Sequence, residues 1–241
     1  MESGIKGKNI LVTGASRGIG KAISKAIAGA GANVIMTARD KEALKNLKED
    51  IISKNGKAIY IPADLADEDE IKALFKKVEK DYGKLDVLIN NAGFVKTGEL
   101  VDFSIKDFDR LIDINLRAVY LCCQYALKLM LPAGAGYIIN ISSVVGFKGY
   151  PNQTAYSASK HGVVGLSKAL SAEVQKYGIR VSLVHPGGVD TDLVGNARPD
   201  LDRSVLMQPG DIAQTVMYLL SLSKRAMVDE IYIRRSSSAP F

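Results

Sequence analysis

Tyr156 and Lys160 stand four residues apart in a segment whose pattern predicts a helix, so they share one helix face. A tyrosine beside a lysine can move a proton. Free tyrosine titrates near pH 10, and lowering that by about three units requires ~4 kcal/mol of preference for the phenolate. A lysine charge about 4 Å away supplies ~4 kcal/mol at an effective dielectric of 20. Lys160 is therefore expected to draw Tyr156 down toward neutrality. Upstream, Ser143 follows a short apolar run, Tyr137–Ile141, that reads as a strand. A hydroxyl at the carboxyl end of such a strand can hydrogen-bond a carbonyl oxygen and steady the negative charge that develops on it. Ser142 is the competing assignment, with a turn serine as its plainer role.

A second group of residues suits an anion. The run Asn9–Thr13 leads into Thr13-Gly14-Ala15-Ser16-Arg17-Gly18-Ile19-Gly20, and a helical pattern follows. Glycines let backbone approach a pyrophosphate, and the helix start offers free N–H groups and the positive end of its dipole. A kinase-type phosphate loop does not fit, because it needs Gly at Ala15 and Ser or Thr at Ala22.

The elements that must position these groups are legible as alternation. Short, often β-branched runs at Asn9–Thr13, Asn33–Thr37, Ala58–Pro62, Val87–Asn90, Tyr137–Ile141, Arg180–Val184 and Glu230–Ile233 read as strands. Amphipathic segments near 18–30, 40–55, 67–82, 104–131, 154–177 and 210–222 read as helices. Strand–helix alternation predicts an α/β fold, a parallel sheet covered on both faces. The longest irregular stretch, 187–209, is the expected lid.

Composition narrows the class. The chain has 241 residues, 47% of them apolar and 24% charged, enough for a large core without disulfides. Two cysteines and two histidines exclude a zinc scaffold, so no metal is expected. Adjacent Cys122 and Cys123 suit a reducing compartment, no run is long enough to span a membrane, and Met1 to Asn9 lacks a signal core, so a cytoplasmic location is expected. The charge of +6 is spread among acids, as in Lys48-Glu49-Asp50, and reads as solvated helix faces, with no nucleic-acid partner expected.

Taken in order along the chain, these residues resemble the short-chain dehydrogenase/reductase family. The resemblance rests on Thr13-Gly14 to Gly20, Asp64, Asn90-Asn91-Ala92-Gly93, Asn115, Ser143, Tyr156 to Lys160, and Pro186-Gly187, and covers nearly the whole chain. It implies one Rossmann-like domain over 1–241 with a seven-stranded parallel sheet. It implies catalysis by Asn115, Ser143, Tyr156 and Lys160, with Asn115 holding a local helix distortion and a water that links the lysine to solvent. Cofactor contacts are implied at Gly14, Ser16, Arg17, Gly18, Ile19, Gly20, Asp64, Leu65, Asn91, Ala92, Gly93, Tyr156, Lys160, Pro186, Gly187, Val189 and Thr191. Asp64 and the Asn90–Gly93 motif also have an ordinary reading as turn residues.

Cofactor choice follows from the second strand. Dinucleotide folds that prefer NAD place an acid at its end; here that position is Ala38, and Arg39 and Arg17 offer forks for a 2′-phosphate, so NADP(H) is expected. Asp40 either weakens this or caps the next helix. The expected reaction is carbonyl reduction or its reverse on a small molecule. Two family branches compete. The 3-oxoacyl carrier-protein reductases often carry docking arginines where Gly134 and Tyr177 stand here, and end their last strand in glycines where Ile231-Tyr232-Ile233-Arg234-Arg235 stands. That ending is more similar to the broad NADP-dependent 3-hydroxy-acid and alcohol dehydrogenases, the favoured branch. A catalytically idle NADP sensor is the reading from another class, opposed by the intact Ser143, Tyr156 and Lys160. The helices 104–131 and 154–177 pair across a two-fold axis in the family, so a homotetramer or homodimer is expected, unless their apolar stripes face only their own sheet.

Overall fold

Continuous apolar runs of four to eight residues have too little length for a helix and no polar face, and in the computed structural model, which describes residues 4–197 and 202–240, all seven are strands. They are β1 (Asn9–Thr13), β2 (Asn33–Thr37), β3 (Lys57–Tyr60), β4 (Val87–Asn90), β5 (Gly136–Ile141), β6 (Ile179–Pro186) and β7 (Glu230–Ile233). Every pairing is parallel, in the order β3-β2-β1-β4-β5-β6-β7. This is the doubly wound, single Rossmann-like domain that the alternation predicts. The third strand ends earlier than Pro62. Ile61 still donates to the Met36 carbonyl (2.9 Å), and proline then has no N–H to continue the ladder.

Side chains alternate across the sheet and fill two cores. Ile10, Val12, Val34, Met36 and Ile89 pack on one side, under helices α1 (Gly18–Gly29), α2 (Lys41–Ser53) and α8 (Pro209–Ser221). Leu11, Ile35, Leu88 and Ile138 pack on the other, under α3 (Glu68–Tyr82), α5 (Ala118–Met130) and α6 (Thr154–Val174). Burial on both faces explains why the strands read as unbroken apolar runs. Asp40 caps α2 by accepting from the Ala43 N–H (2.9 Å), which settles its second reading.

Two segments depart from expectation. The single helix expected over 104–131 is α4 (Ile105–Ile112), a π-helical segment at Asp113–Arg117, and α5. The irregular stretch 187–209 contains a helix, α7 (Asp192–Ala197), and a single turn at Arg203–Val205; its residues 198–201 lie outside the described ones. The ends of that stretch are tied together. Asp190 N–H donates to the Met207 carbonyl (2.7 Å) and Met207 N–H to Gly188 (3.1 Å). Among the described residues no helix is long and apolar enough to cross a membrane, and no cluster of metal-ligating side chains occurs.

The chain winds outward in opposite directions from β1 and β4, which are neighbours. The carboxyl ends of these two strands therefore open a crevice, the place where open α/β sheets take ligands.

Candidate active site

One wall of the crevice is the glycine loop, and Thr13 is its keystone. This side chain is buried, and its Oγ1 accepts from the N–H groups of Asn91 (2.9 Å) and Ala92 (3.0 Å). The Asn91 amide in turn donates to the carbonyls of Thr13 (3.0 Å) and Gly14 (3.2 Å). The loop after β1 is thus stapled to the loop after β4. Asn90 turns the other way, into the core, where it donates to Asn140 Oδ1 (2.9 Å).

The glycines are there for space. A Cβ on Gly20 would stand 2.3 Å from the Gly14 carbonyl oxygen and 2.5 Å from Asn91 Nδ2. A Cβ on Gly14 would stand 2.7 Å from Ala92 Cα, and Gly14 has φ +63°. The helix that follows starts without a side-chain cap and without an acid in its first turn. Its leading N–H groups are thus available to an anion, and the loop fits a dinucleotide pyrophosphate. Gly20→Ala is expected to weaken dinucleotide binding and to cost about 1–3 kcal/mol of stability through overpacking, since backbone rather than a flexible side chain meets the methyl. Cofactor titration and urea unfolding check both parts, and wild-type behaviour in both would contradict the close approach.

The opposite wall carries the reacting groups. Asn115 is fully buried within the π-helical segment. Its Oδ1 accepts from Phe94 N–H (2.7 Å), and its Nδ2 donates to the Phe94 carbonyl (2.8 Å) and to Ser159 Oγ (3.1 Å). A buried amide is costly unless satisfied, and here the widened helix turn coincides with the residue whose side chain clasps the neighbouring loop. Ser159 also donates to the Tyr156 carbonyl (2.8 Å), so Asn115 is linked to the first turn of α6.

Ser143 follows β5; its Oγ accepts from the Val145 N–H (3.3 Å) and donates to the Pro186 carbonyl (3.5 Å), and it faces Tyr156 closely enough to oppose the rise in that phenol's pKa. Ser142 is buried and donates to the Lys160 carbonyl (3.3 Å), a structural bond. Lys160, also buried, donates from Nζ to the Ile141 carbonyl (3.1 Å). Burial works against the lowering of Tyr156 expected from this lysine. It pushes the Tyr156 phenol up to about 12, with the Ser143 hydroxyl opposing in part. Burial also pushes the Lys160 ammonium down to about 8. Spacing shows that the two share a helix face; it does not show how far the fold withdraws each from water, which disfavours each charged form.

The other candidate residues lie around this frame in different ways. Gly93 adjoins both Asn115 and Lys160: a Cβ there would stand 3.6 Å from Asn115 Oδ1 and 3.9 Å from Lys160 Nζ. Arg39 pairs with Asp64 (3.9 Å) and Arg17 with Asp192 (3.7 Å), all with exposed side chains, so both guanidinium groups remain exchangeable. Asp64 also accepts from the Ala66 N–H (3.1 Å), which is turn chemistry. Leu65 and Val189 are core side chains and offer a ligand only backbone. Ile19 packs on the core from a half-buried position, and Ser16 is half-buried in the loop. Pro186 ends β6, and Gly187 N–H donates to the Ile233 carbonyl (2.8 Å). Thr191 lies across the glycine loop, its Cγ2 3.1 Å from where a Gly18 Cβ would be. Sequence reasoning missed Thr13 and Ser159 as anchors. A threonine ending an otherwise apolar buried strand was the available signal for the first.

A family model described as short chain dehydrogenase matches residues 8–202. Among curated proteins, a 3-oxoacyl-(acyl-carrier-protein) reductase of Staphylococcus aureus is 41% identical over 223 residues, covering 89% of this chain and 91% of that one. Among solved structures, a metagenomic short-chain oxidoreductase in complex with NADP is 36% identical with a TM-score of 0.86, covering 98% of this chain and 100% of that one. An alcohol dehydrogenase from the archaeon Thermococcus sibiricus, complexed with 5-hydroxy-NADP, is 27% identical with a TM-score of 0.91 over the same shares.

Proposed function

The chain belongs to the short-chain dehydrogenase/reductase family and is an oxidoreductase of carbonyls and alcohols, and from that premise we propose that it uses NADP(H) on small 3-hydroxy-acid or alcohol substrates and the matching carbonyls. The observation that carries this reading is that Ser143 faces Tyr156, four residues before buried Lys160 on one helix face, at the crevice. When bound, NADPH supplies hydride to the carbonyl carbon. Gly14, Gly18 and Gly20 with the start of α1 receive its pyrophosphate, and Lys160 its nicotinamide ribose. Ser143 donates a hydrogen bond to the substrate oxygen and orients it. Tyr156, protonated at neutral pH because burial raises its pKa, donates the proton that completes the alcohol. Lys160 carries the positive charge that balances the phenolate left behind. Asn115 acts through Ser159 and the Phe94 backbone to hold this face of α6 in place.

Support for NADP(H) over NAD(H) is the uncharged Ala38 with Arg39 and Arg17 close by, and the NADP ligands of the structural relatives. Arg39→Ala is expected to raise the KM for NADPH about tenfold to a hundredfold, the loss of a charge-assisted bond, with little change for NADH. Steady-state kinetics with both cofactors reads this directly, and an unchanged NADPH KM would remove Arg39 from the site. The reaction itself is tested by NADPH oxidation over 3-oxo acids, 3-oxoacyl thioesters, diketones and aldehydes. A 3-oxoacyl carrier-protein substrate is the second reading, favoured by the 41% identity to such a reductase and opposed by Gly134 and the exposed Tyr177. Preference for acyl thioesters in that panel selects it, and tight NADPH binding without turnover of any class counts against catalysis.

A homodimer or homotetramer is supported by Leu100 and Val101, in the single turn before α4, and Ile105, its first residue, which are 72%, 84% and 72% exposed. The segment between Gly187 and Pro209 serves as lid, anchored at both ends by its Gly188 and Asp190 bonds to Met207. Buried, unpaired Cys122 and Cys123 favour a reducing, cytoplasmic setting.

A further inference from the structure

His185 lies near the end of β6, fully buried, and has no part in the chemistry above. Its ring stacks on Tyr232 of β7 (centroids 4.5 Å apart, planes at 8°) and meets the edge of Phe147 (5.7 Å). Its two nitrogens face two different acceptors. Nδ1 is 3.3 Å from the backbone carbonyl of Ser143, and Nε2 is 3.0 Å from Glu230 Oε2. We propose that His185 is a positioning residue, which ties the backbone of Ser143 to β7 and so fixes the hydroxyl that faces Tyr156. The inference rests on the role of Ser143 given above.

A carbonyl oxygen accepts only, and so does an ionised carboxylate. The Ser143 carbonyl already accepts from Gly146 N–H (2.9 Å), and its second lone pair is open to His185. Glu230 is ionised: although burial raises its pKa, bonds from the Tyr232 hydroxyl (2.7 Å) and Lys168 (2.9 Å) together hold it below the usual carboxylate range. Both histidine contacts are therefore made at once only when both ring nitrogens carry a proton. The charged and titratable groups facing the ring are Glu230 and Tyr232 on β7 and, behind Glu230, Lys168 on α6.

Burial pushes the ring toward its neutral form, while the Ser143 and Glu230 bonds oppose this. The proton that leaves is the one on Nδ1, because a bond to a carboxylate is roughly twice as strong as one to a neutral carbonyl. The Ser143 tie is thus present below the ring's titration and released above it, while the Glu230 bond persists.

Two amide substitutions separate the contacts, since the amide nitrogen of Asn stands where Nδ1 does and that of Gln where Nε2 does. His185→Asn keeps a donor for Ser143 at every pH and should leave kcat close to that of wild type below the ring's titration. Below that titration, where wild type makes the tie, His185→Gln keeps only the Glu230 bond and should lower kcat by about 10- to 100-fold, the order expected for a misplaced catalytic group, with cofactor affinity unchanged; above it this variant and wild type should converge. A fall in kcat as pH rises through the ring's titration, which burial places below the ordinary imidazole value, should be present in wild type and absent in His185→Asn. Equal kcat in the two variants, or the same pH profile in wild type and His185→Asn, would overturn the proposal. The wild-type profile reads out even where a variant folds poorly, and urea unfolding of each variant shows whether it does. Full turnover by Ser143→Ala would instead strike the role of Ser143.

Discussion

Tyr156→Phe is expected to bind NADPH as wild type does and to turn over about 10² to 10⁴ times more slowly, the usual worth of a positioned general acid. The change removes one oxygen from a half-buried side chain. What is lost is the hydroxyl that faces Ser143 and the proton that the carbonyl oxygen must receive. The ring stays, so packing and the glycine loop are undisturbed. NADPH titration followed by single-turnover reduction separates binding from chemistry. Turnover within threefold of wild type would remove Tyr156 from the proton-transfer step. In the reduction direction the phenol must be protonated, and burial that holds it near 12 keeps it so across the neutral range.

The difference between what was expected of Tyr156 and what is found marks where sequence reading stops. The seven strands and most helices are legible because periodicity and turn residues are local signals. The spacing of Tyr156 and Lys160 is also local, and the helix honours it. Their protonation is not local: it depends on how much water the folded chain excludes from each. Thr13 illustrates the same limit. Its partners Asn91 and Ala92 are far away in sequence and are brought near only because β1 and β4 are neighbours. The break in the helix over 104–131 lies at a residue the family resemblance marks, yet its cause is a clasp on Phe94 that no periodicity contains. His185 stands outside the family pattern, and nothing local to it in the sequence marks it. Its meaning comes from Glu230, two residues along β7 from the Tyr232 that stands opposite it, and from the loop after β5.

Lys160→Met is expected to pull stability and activity in opposite directions. Burial lowers the lysine from its usual 10.5 to about 8, so the native state bears a charge at neutral pH that it would rather shed. The difference corresponds to about 3 kcal/mol, an order-of-magnitude figure, at 1.36 kcal/mol per pH unit. Between about pH 8 and 10.5 the unfolded chain holds a proton that the native chain has lost. Unfolding then takes up a proton, and the stability tied to this group rises with pH across that window. Methionine has nearly the same length and no charge to desolvate. The variant should therefore be more stable than wild type at pH 7, less the bond to the Ile141 carbonyl, which then lacks its donor. Its advantage should shrink toward pH 10.5. Turnover should fall by about 10² or more, because nothing then balances charge on Tyr156. Urea unfolding at pH 7 and pH 10, with kinetics on the same samples, reads all three quantities. A variant less stable than wild type at pH 7 by the same margin as at pH 10 would show that the ammonium is not strained by its burial. Its position beside Tyr156 would then carry no stability cost for the active site to offset.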